Sequence, residues 1–329
     1  MTSERLNYID EMKGFAILLV TMGHIYLNNT IEGQNHPIAQ IIYSFHMSFF
    51  FFLSGFILSK THKLETSGIM IFIKKKTITL LLPWLSFSII VKLFLNPNIS
   101  IYKLLDGLLF YPVNGYWFLP ILWIFMMLWL LQKIASSYIN VYAEPVINIF
   151  ITCIIASTGL FLHKYHIIIY SIYYMTFIGG YFLSRYNSIE KILKKKEVVG
   201  ISAIILIVTW KLGPIETYGV AWRSFINLFH QCICSISACI VLYNLFLNNP
   251  FPKFIKKYLQ NTGKHSLAIY LLPMPLIPNG YISPPHDFTS SFINITILLT
   301  ATFINYICYL IAIIIYKIPY INLLLFGKR

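Results

Sequence analysis

Apolar runs separated by short polar breaks follow one another along the whole chain. A bilayer core is spanned by about 20 apolar residues, and backbone in lipid must satisfy its own hydrogen bonds, so each run predicts a membrane-spanning helix. The runs cover residues 14–27, 39–59, 78–95, 116–131, 146–162, 167–183, 198–212, 222–247, 266–277 and 292–316. We therefore predict an all-α integral membrane protein, a bundle of about ten transmembrane helices, forming a single transmembrane domain over residues 1–329.

Prolines interrupt the ninth run, which is also one of the shortest. Pro273 and Pro275 lie inside residues 266–277, and Pro278 follows directly. Proline removes a backbone donor and breaks a helix interior, so we expect the outer end of this span to be broken or re-entrant. Residues 99–110 place apolar side chains at helical spacing and predict an interfacial helix on the outer leaflet.

The basic residues indicate how the bundle is oriented. With the N-terminus in the cytoplasm, nearly all lysines and arginines fall on the inner side, the exceptions being Lys92, Lys103, Lys164, Lys211 and Arg223. The positive-inside rule then predicts that both termini are cytoplasmic.

Composition agrees with a membrane protein. Hydrophobic residues make up 57% of the chain and charged residues 11%, whereas soluble proteins carry about 25% charged residues. The net charge of +14 is accounted for by topology, so we expect no nucleic-acid partner. Five cysteines lie in apolar runs without metal-ligand spacing; we interpret them as small buried residues and expect no metal site.

Two histidines within the first two runs are the strongest candidates for chemistry. His24 follows Lys13 by eleven positions, which on a helix is about 16 Å along the axis and roughly 20° from the same face. An ionisable side chain inside a membrane span is a functional-site candidate. His46 should lie at a similar depth in the second run, so we predict that His24 and His46 meet and form the catalytic residues.

Other polar groups leave two interpretations open. Arg223, Asn227 and His230 share one helical face, which either binds a ligand in a wet cavity or joins helices through hydrogen bonds. The lysines at residues 74–76 are either ligand contacts or part of a solvated inner loop. Trp117, in GYWFLP, is either a binding residue or part of an interfacial aromatic belt.

Four stretches together resemble the acyltransferase 3 family of multi-span membrane acyltransferases. They are YIDEMKGFAILLVTMGH (residues 8–24), FHMSFFFFLSGF (45–56), YWFLP (116–120) and TGKHSLAIYLL (262–272). Their residues are most similar to those of the branch that contains sugar O-acetylases. The chain departs from the family pattern in three places: a basic pair before the third span is reduced to Lys76 followed by Thr79, a frequent proline is Ser48, and a frequent histidine is Pro273.

The resemblance implies a bundle of roughly ten spans in a bacterial plasma membrane. Such a protein moves an acetyl group from cytosolic acetyl-CoA to a hydroxyl of an envelope saccharide or lipid-linked sugar. His24 matches the histidine that the family requires, and Lys13 stands where the family has a basic residue. His24 is our general base, although a covalent acetyl-histidine relay is equally compatible with the sequence.

The remaining assignments follow from that hypothesis. The phosphates of acetyl-CoA should stay near the inner surface because burying them unpaired is costly. The predicted donor contacts are Lys13, Lys74, Lys75 and Lys76, and the predicted acceptor contacts are Asn114, Trp117, Arg223, Asn227 and His230. A transporter or flippase for a lipid-linked saccharide, and a bundle without catalytic activity, are the alternatives. A homo-oligomer is left open.

Overall fold

The computed structural model describes residues 7–30, 33, 36–61, 68–95, 100, 102, 116–139, 143–162, 165–212, 221–248, 250–273, 275–277 and 290–328. Its helices are α1 (Asn7–Asn29), α2 (Pro37–Thr61), α3 (Ile69–Lys76), α4 (Leu82–Leu95), α5 (Phe118–Ile139), α6 (Glu144–Phe161), α7 (Tyr165–Arg185), α8 (Asn187–Leu193), α9 (Lys196–Leu212), α10 (Ala221–Asn248), α11 (Lys253–Lys264), α12 (Ser266–Leu271), α13 (Ser290–Tyr316) and α14 (Pro319–Phe326). A π-helical turn, Thr77–Leu81, joins α3 to α4. Within these residues there is no strand, so the predicted all-α class is confirmed.

The chain is a multi-pass membrane protein. Among the described residues, seven stretches are long and apolar enough to cross a bilayer, and they lie in α2, α3 with α4, α5, α6, α7, α10 and α13. The other three predicted runs form α1, α9 and α12. Helix α9 has 17 residues, and α12 has 6 and ends at Leu271, just before Pro273. The predicted break in the ninth run is therefore present, whereas the count of about ten spans stays a prediction.

Helix α1 lies at the centre of the bundle, although it carries polar residues near both ends. It packs against α2, α10, α11, α12 and α13. Met12, Ala16, Ile17 and Tyr26 along its length are fully buried. Lys13 and His24 are therefore placed inside the bundle and not on its outer surface.

Helices α2 and α7 cross in close backbone contact at two glycines. A Cβ atom on Gly55 would overlap the carbonyl oxygen of Phe177, and one on Gly180 would overlap the carbonyl oxygen of Phe52. Small residues at such a crossing let membrane helices approach closely. This contact sets how α2, which carries His46, is seated against α7.

A buried ionic cluster ties α5, α6 and α7 together. Glu144 is 2% exposed, and its carboxylate accepts hydrogen bonds from Lys133 Nζ at 2.6 Å and Arg185 Nη1 at 2.8 and 2.6 Å. The Arg185 guanidinium also lies over the Tyr181 ring, 5.8 Å from its centroid. The three charges are thus paired inside the protein, which is the condition for burying them.

Two expectations change at the level of the fold, and a third is not tested. The loop alternative for residues 74–76 is wrong, because these lysines belong to α3, where Phe72 is buried against Trp129 at a centroid distance of 5.7 Å. Cys153 is exposed and not buried, since an apolar residue on a bilayer-facing helix needs no cover from protein. The interfacial helix predicted for 99–110 lies outside the described residues except for Ser100 and Tyr102.

Candidate active site

A cavity of about 130 Å³ brings together the two histidines that the sequence selects. His24 reaches it from α1 and His46 from α2, and Trp117, which directly precedes α5, forms another wall with Tyr173 of α7. We call this the histidine cavity. Three of the predicted site residues, from three separate runs of the chain, therefore share one small space.

The orientation of His46 is set by a backbone hydrogen bond. Its Nδ1 donates to the carbonyl oxygen of Ile42 at 2.7 Å. A carbonyl oxygen only accepts, so the ring proton of neutral His46 is on Nδ1 and the lone pair is on Nε2. His46 is 6% exposed, which makes it a buried, preoriented imidazole beside His24.

The Tyr43 hydroxyl is a polar group of this cavity that the sequence analysis did not select. Tyr43 lines the cavity and meets His46 edge to face at 5.2 Å between ring centroids. Its hydroxyl is buried and has no hydrogen-bond partner among the residues that the structure describes. The only sequence signal was position, one helical turn before His46.

Stacked aromatic rings form another wall of the histidine cavity. Trp117 stacks on Tyr173 with 5.7 Å between centroids and a 20° interplanar angle, and Tyr173 in turn stacks on Phe51 at 5.2 Å. Phe51 is fully buried. The indole is therefore held in position by packing, with the geometry typical of aromatic pairs.

A second cavity, of about 210 Å³, extends from Lys13 toward the histidine cavity. We call it the lysine cavity. The lining residues with polar groups are Lys13, Ser54, Thr79, Ser266 and Tyr270, and the rest are apolar. Met47 and Tyr270 line both cavities. Lys13 and His24, about 16 Å apart along α1, thus face two adjoining spaces.

The residues around Lys13 are held by α11. Lys13 Nζ lies 3.3 Å from Asp10 Oδ1, and Gln260 Nε2 donates to Glu11 Oε1 at 2.7 Å. Asp10 and Glu11 are 2% and 0% exposed, so they are buried between helices. Gly263 permits this packing, because a Cβ there would overlap the carbonyl oxygen of Asp10.

The lysine run ends one turn before the lysine cavity. Thr79 lines the cavity, and its Oγ1 donates to the carbonyl oxygen of Lys75 at 2.9 Å. Lys74 and Lys75 are exposed and Lys76 is half-buried; Lys76 Nζ lies 5.5 Å from the Phe72 ring centroid. The turn that carries Thr79 is π-helical, a form that is rare and frequently occurs at functional sites.

A comparison with known families bears on what this arrangement does. The family model described as an acyltransferase domain matches residues 6–320. The chain belongs to the acyltransferase 3 family. No curated protein and no solved structure matches it. The two cavities therefore belong to a membrane acyltransferase.

Not all predicted site residues of the acyltransferase lie at these cavities. His230 Nε2 donates to the carbonyl oxygen of Thr209 at 2.7 Å and lines a separate cavity of about 190 Å³ beside α2, α9 and α10. Asn227 lies one turn before His230 on α10, and no described cavity has it in its lining. Asn114 and the side chain of Arg223 lie outside the described residues.

The described part of the acyltransferase shows no place where three histidine, cysteine, aspartate or glutamate side chains could hold a metal ion. The titratable side chains that line the histidine cavity are the two imidazoles of His24 and His46 and the three phenols of Tyr43, Tyr173 and Tyr270.

Proposed function

We propose that this acyltransferase moves an acetyl group from acetyl-CoA to a hydroxyl of an envelope saccharide or lipid-linked sugar. The observation that carries the proposal is the pair of adjoining cavities, one reached by Lys13 and the other by His24, with Met47 and Tyr270 common to both. Acetyl-CoA has a charged end and a long flexible arm, so it could place its phosphates near Lys13 and extend its arm through the lysine cavity to His24.

The donor enters, in this proposal, from the Lys13 end. The phosphates of acetyl-CoA stay near Lys13, Lys74, Lys75 and Lys76, because burying them without cationic partners would be too costly. The pantetheine arm occupies the mostly apolar lysine cavity and carries the thioester toward His24. The positive-inside rule places this end, and both termini, in the cytoplasm.

The acceptor approaches the histidine cavity from the outer side. Trp117, held flat against Tyr173, offers a ring face on which a sugar can stack. His230 and Asn227 lie elsewhere in the bundle, so within the described residues we keep the acceptor role for Trp117. The roles of Asn114 and Arg223 stay predictions.

The transfer step uses the groups of the histidine cavity. Neutral His24 takes the proton of the acceptor hydroxyl while its oxygen attacks the thioester carbonyl, a task for which imidazole suits near neutral pH. The new C–O bond forms, the C–S bond breaks, and the proton passes from His24 to the departing sulfur as the free thiol of CoA. The Tyr43 hydroxyl donates to the oxyanion that forms on the carbonyl. An acetyl-histidine intermediate is the alternative within the same site.

The decisive experiment is acetyl-CoA-dependent thiol release by the full chain reconstituted in lipid with an envelope-glycan extract. We expect wild-type protein to release thiol and to add one acetyl mass to a glycan, and His24→Ala to do neither while remaining folded in the membrane. His36→Ala is the control, since His36 stacks on Tyr26 at 4.6 Å and does not line the histidine cavity. Normal acetylation by His24→Ala would remove the base assignment, and absence of thiol release by wild type would favour the flippase or the non-catalytic bundle.

A further inference from the structure

Met47 and Tyr270 lie where the two cavities adjoin, since each of them lines both. A group that moves from the Lys13 end to His24 inside the described bundle passes these two side chains. The histidine cavity beyond them, at about 130 Å³, is smaller than the roughly 300–1,000 Å³ of ordinary small-molecule sites. The passage and the space behind it therefore limit the size of any acyl group that reaches His24.

Tyr270 is the rigid side of this passage. Its ring meets Phe118 edge to face at 5.6 Å and Tyr116 at 6.1 Å between centroids. Tyr116 is itself anchored, since its hydroxyl donates to the carbonyl oxygen of Leu271 at 2.9 Å. An enlarged acyl group cannot displace this ring without breaking those contacts.

Met47 is the adjustable side of the passage. It is 7% exposed and comes from α2, one residue after His46. Methionine is unbranched and polarizable and fills irregular gaps. Its side chain can follow a slender pantetheine arm, while its volume still occupies the space that a longer acyl chain would need.

We infer that Met47, which with Tyr270 lines both cavities, determines the acyl-chain length of the donor and restricts it to acetyl-CoA. The inference rests on the proposed function, because it takes the acyl-CoA to arrive through the lysine cavity. In the transition state the histidine cavity holds the acyl group and the attacking hydroxyl together. Each added methylene must then be fitted into a packed space. One methylene changes the ratio of kcat/KM between two substrates by about 10- to 200-fold.

The test compares acetyl-, propionyl- and butyryl-CoA as donors for the reconstituted full chain, with kcat/KM measured by thiol release. Wild type should lose about tenfold or more for each added methylene. Met47→Ala should raise the ratio of butyryl to acetyl transfer by about tenfold or more. Met47→Leu, which roughly conserves volume, should keep the wild-type ratio.

Met126→Ala is the matched control. Met126 lies on α5, is 6% exposed against 7% for Met47, and lines neither cavity. The same atoms are removed at equal burial, so any general loosening of the bundle would appear in both variants. If Met47→Ala does not fold, Met47→Val provides the same comparison with a smaller loss of volume.

The outcomes separate this inference from the proposed function. An active Met47→Ala with the wild-type chain-length ratio overturns the role of Met47, as does an equal change in Met126→Ala, and both leave acetyl transfer itself standing. A wild-type protein that releases thiol from none of the three donors overturns the proposed function and this inference with it.

Discussion

His24 of α1 and His46 of α2 line one cavity, and the Nδ1 of His46 is bound to the carbonyl oxygen of Ile42 at 2.7 Å. Two charged imidazoles in such a buried space would repel each other strongly, because the local dielectric is low. A proton taken up by His24 therefore favours a neutral His46 whose Nε2 lone pair is available. His24 can therefore accept a proton while the His46 ring keeps its orientation.

His46→Asn should lower kcat by about 100-fold or more. The shorter amide can still donate to the Ile42 carbonyl oxygen, so folding should be retained while the imidazole beside His24, with its Nε2 lone pair, is lost. Thiol release with saturating acetyl-CoA measures the effect, and membrane yield and gel filtration report folding. A kcat equal to wild type would limit His46 to a structural role.

Tyr43→Phe should lower kcat by about 10² to 10³, the usual cost of removing one oxyanion donor. The KM for acetyl-CoA should change little, because the hydroxyl acts on charge that develops only in the transition state. Tyr170→Phe is the control: Tyr170 packs against Trp117 at 5.9 Å and does not line the cavity. An increase in KM without a change in kcat would assign Tyr43 to ground-state binding.

Lys76→Ala should mainly raise the KM for acetyl-CoA, by about tenfold or more, because a hydrogen bond to a charged group contributes about 1.5–3 kcal/mol. The same variant should leave the KM for the acceptor unchanged. Lys257→Ala, on the exposed face of α11, is the charge-matched control. An effect confined to the acceptor would argue against a phosphate site at this end.

Glu144→Gln should destabilise the bundle by about 3 kcal/mol, because it leaves Lys133 and Arg185 together without a counter-charge. This loss is at the lower end of the range for a broken buried ion pair, because the side chains of Lys133 and Arg185 are 24% and 27% exposed. Unfolding in detergent, by heat or denaturant, measures the loss.

The control for that measurement is Glu190→Gln. The Glu190–Lys194 pair is more exposed, at 29% and 40%, and such pairs contribute about 0–1 kcal/mol. A Glu144→Gln variant as stable as Glu190→Gln would show that the buried cluster adds nothing to stability.

The relation between Lys13 and His24 was predictable from the chain alone. It depends only on helical geometry, and α1 is a helix through both positions. The place of Pro273 likewise indicated where α12 ends, because the effect of proline on a helix is local.

The meeting of His46 and Trp117 with His24 was only partly predictable. The sequence indicated similar depths for the two histidines, but not the face that each helix presents. His230 illustrates the difference: its sequence context suggested an acceptor contact as strongly as that of Trp117, yet it bonds to Thr209 in another cavity. Tyr43 was indicated only by its position one helical turn before His46, and Tyr270 lay within TGKHSLAIYLL without a predicted role.

The sequence by itself determined that the chain is helical and crosses a membrane, and it selected Lys13 and His24 on one stripe of α1. Hydropathy and helical periodicity are local properties, so they can be read from neighbouring residues. Only the tertiary structure decided which faces meet, where the cavities lie and that Met47 and Tyr270 join them. Those depend on helix rotations and crossings set by contacts between distant residues, such as Gly55 against Phe177, and no local pattern encodes them.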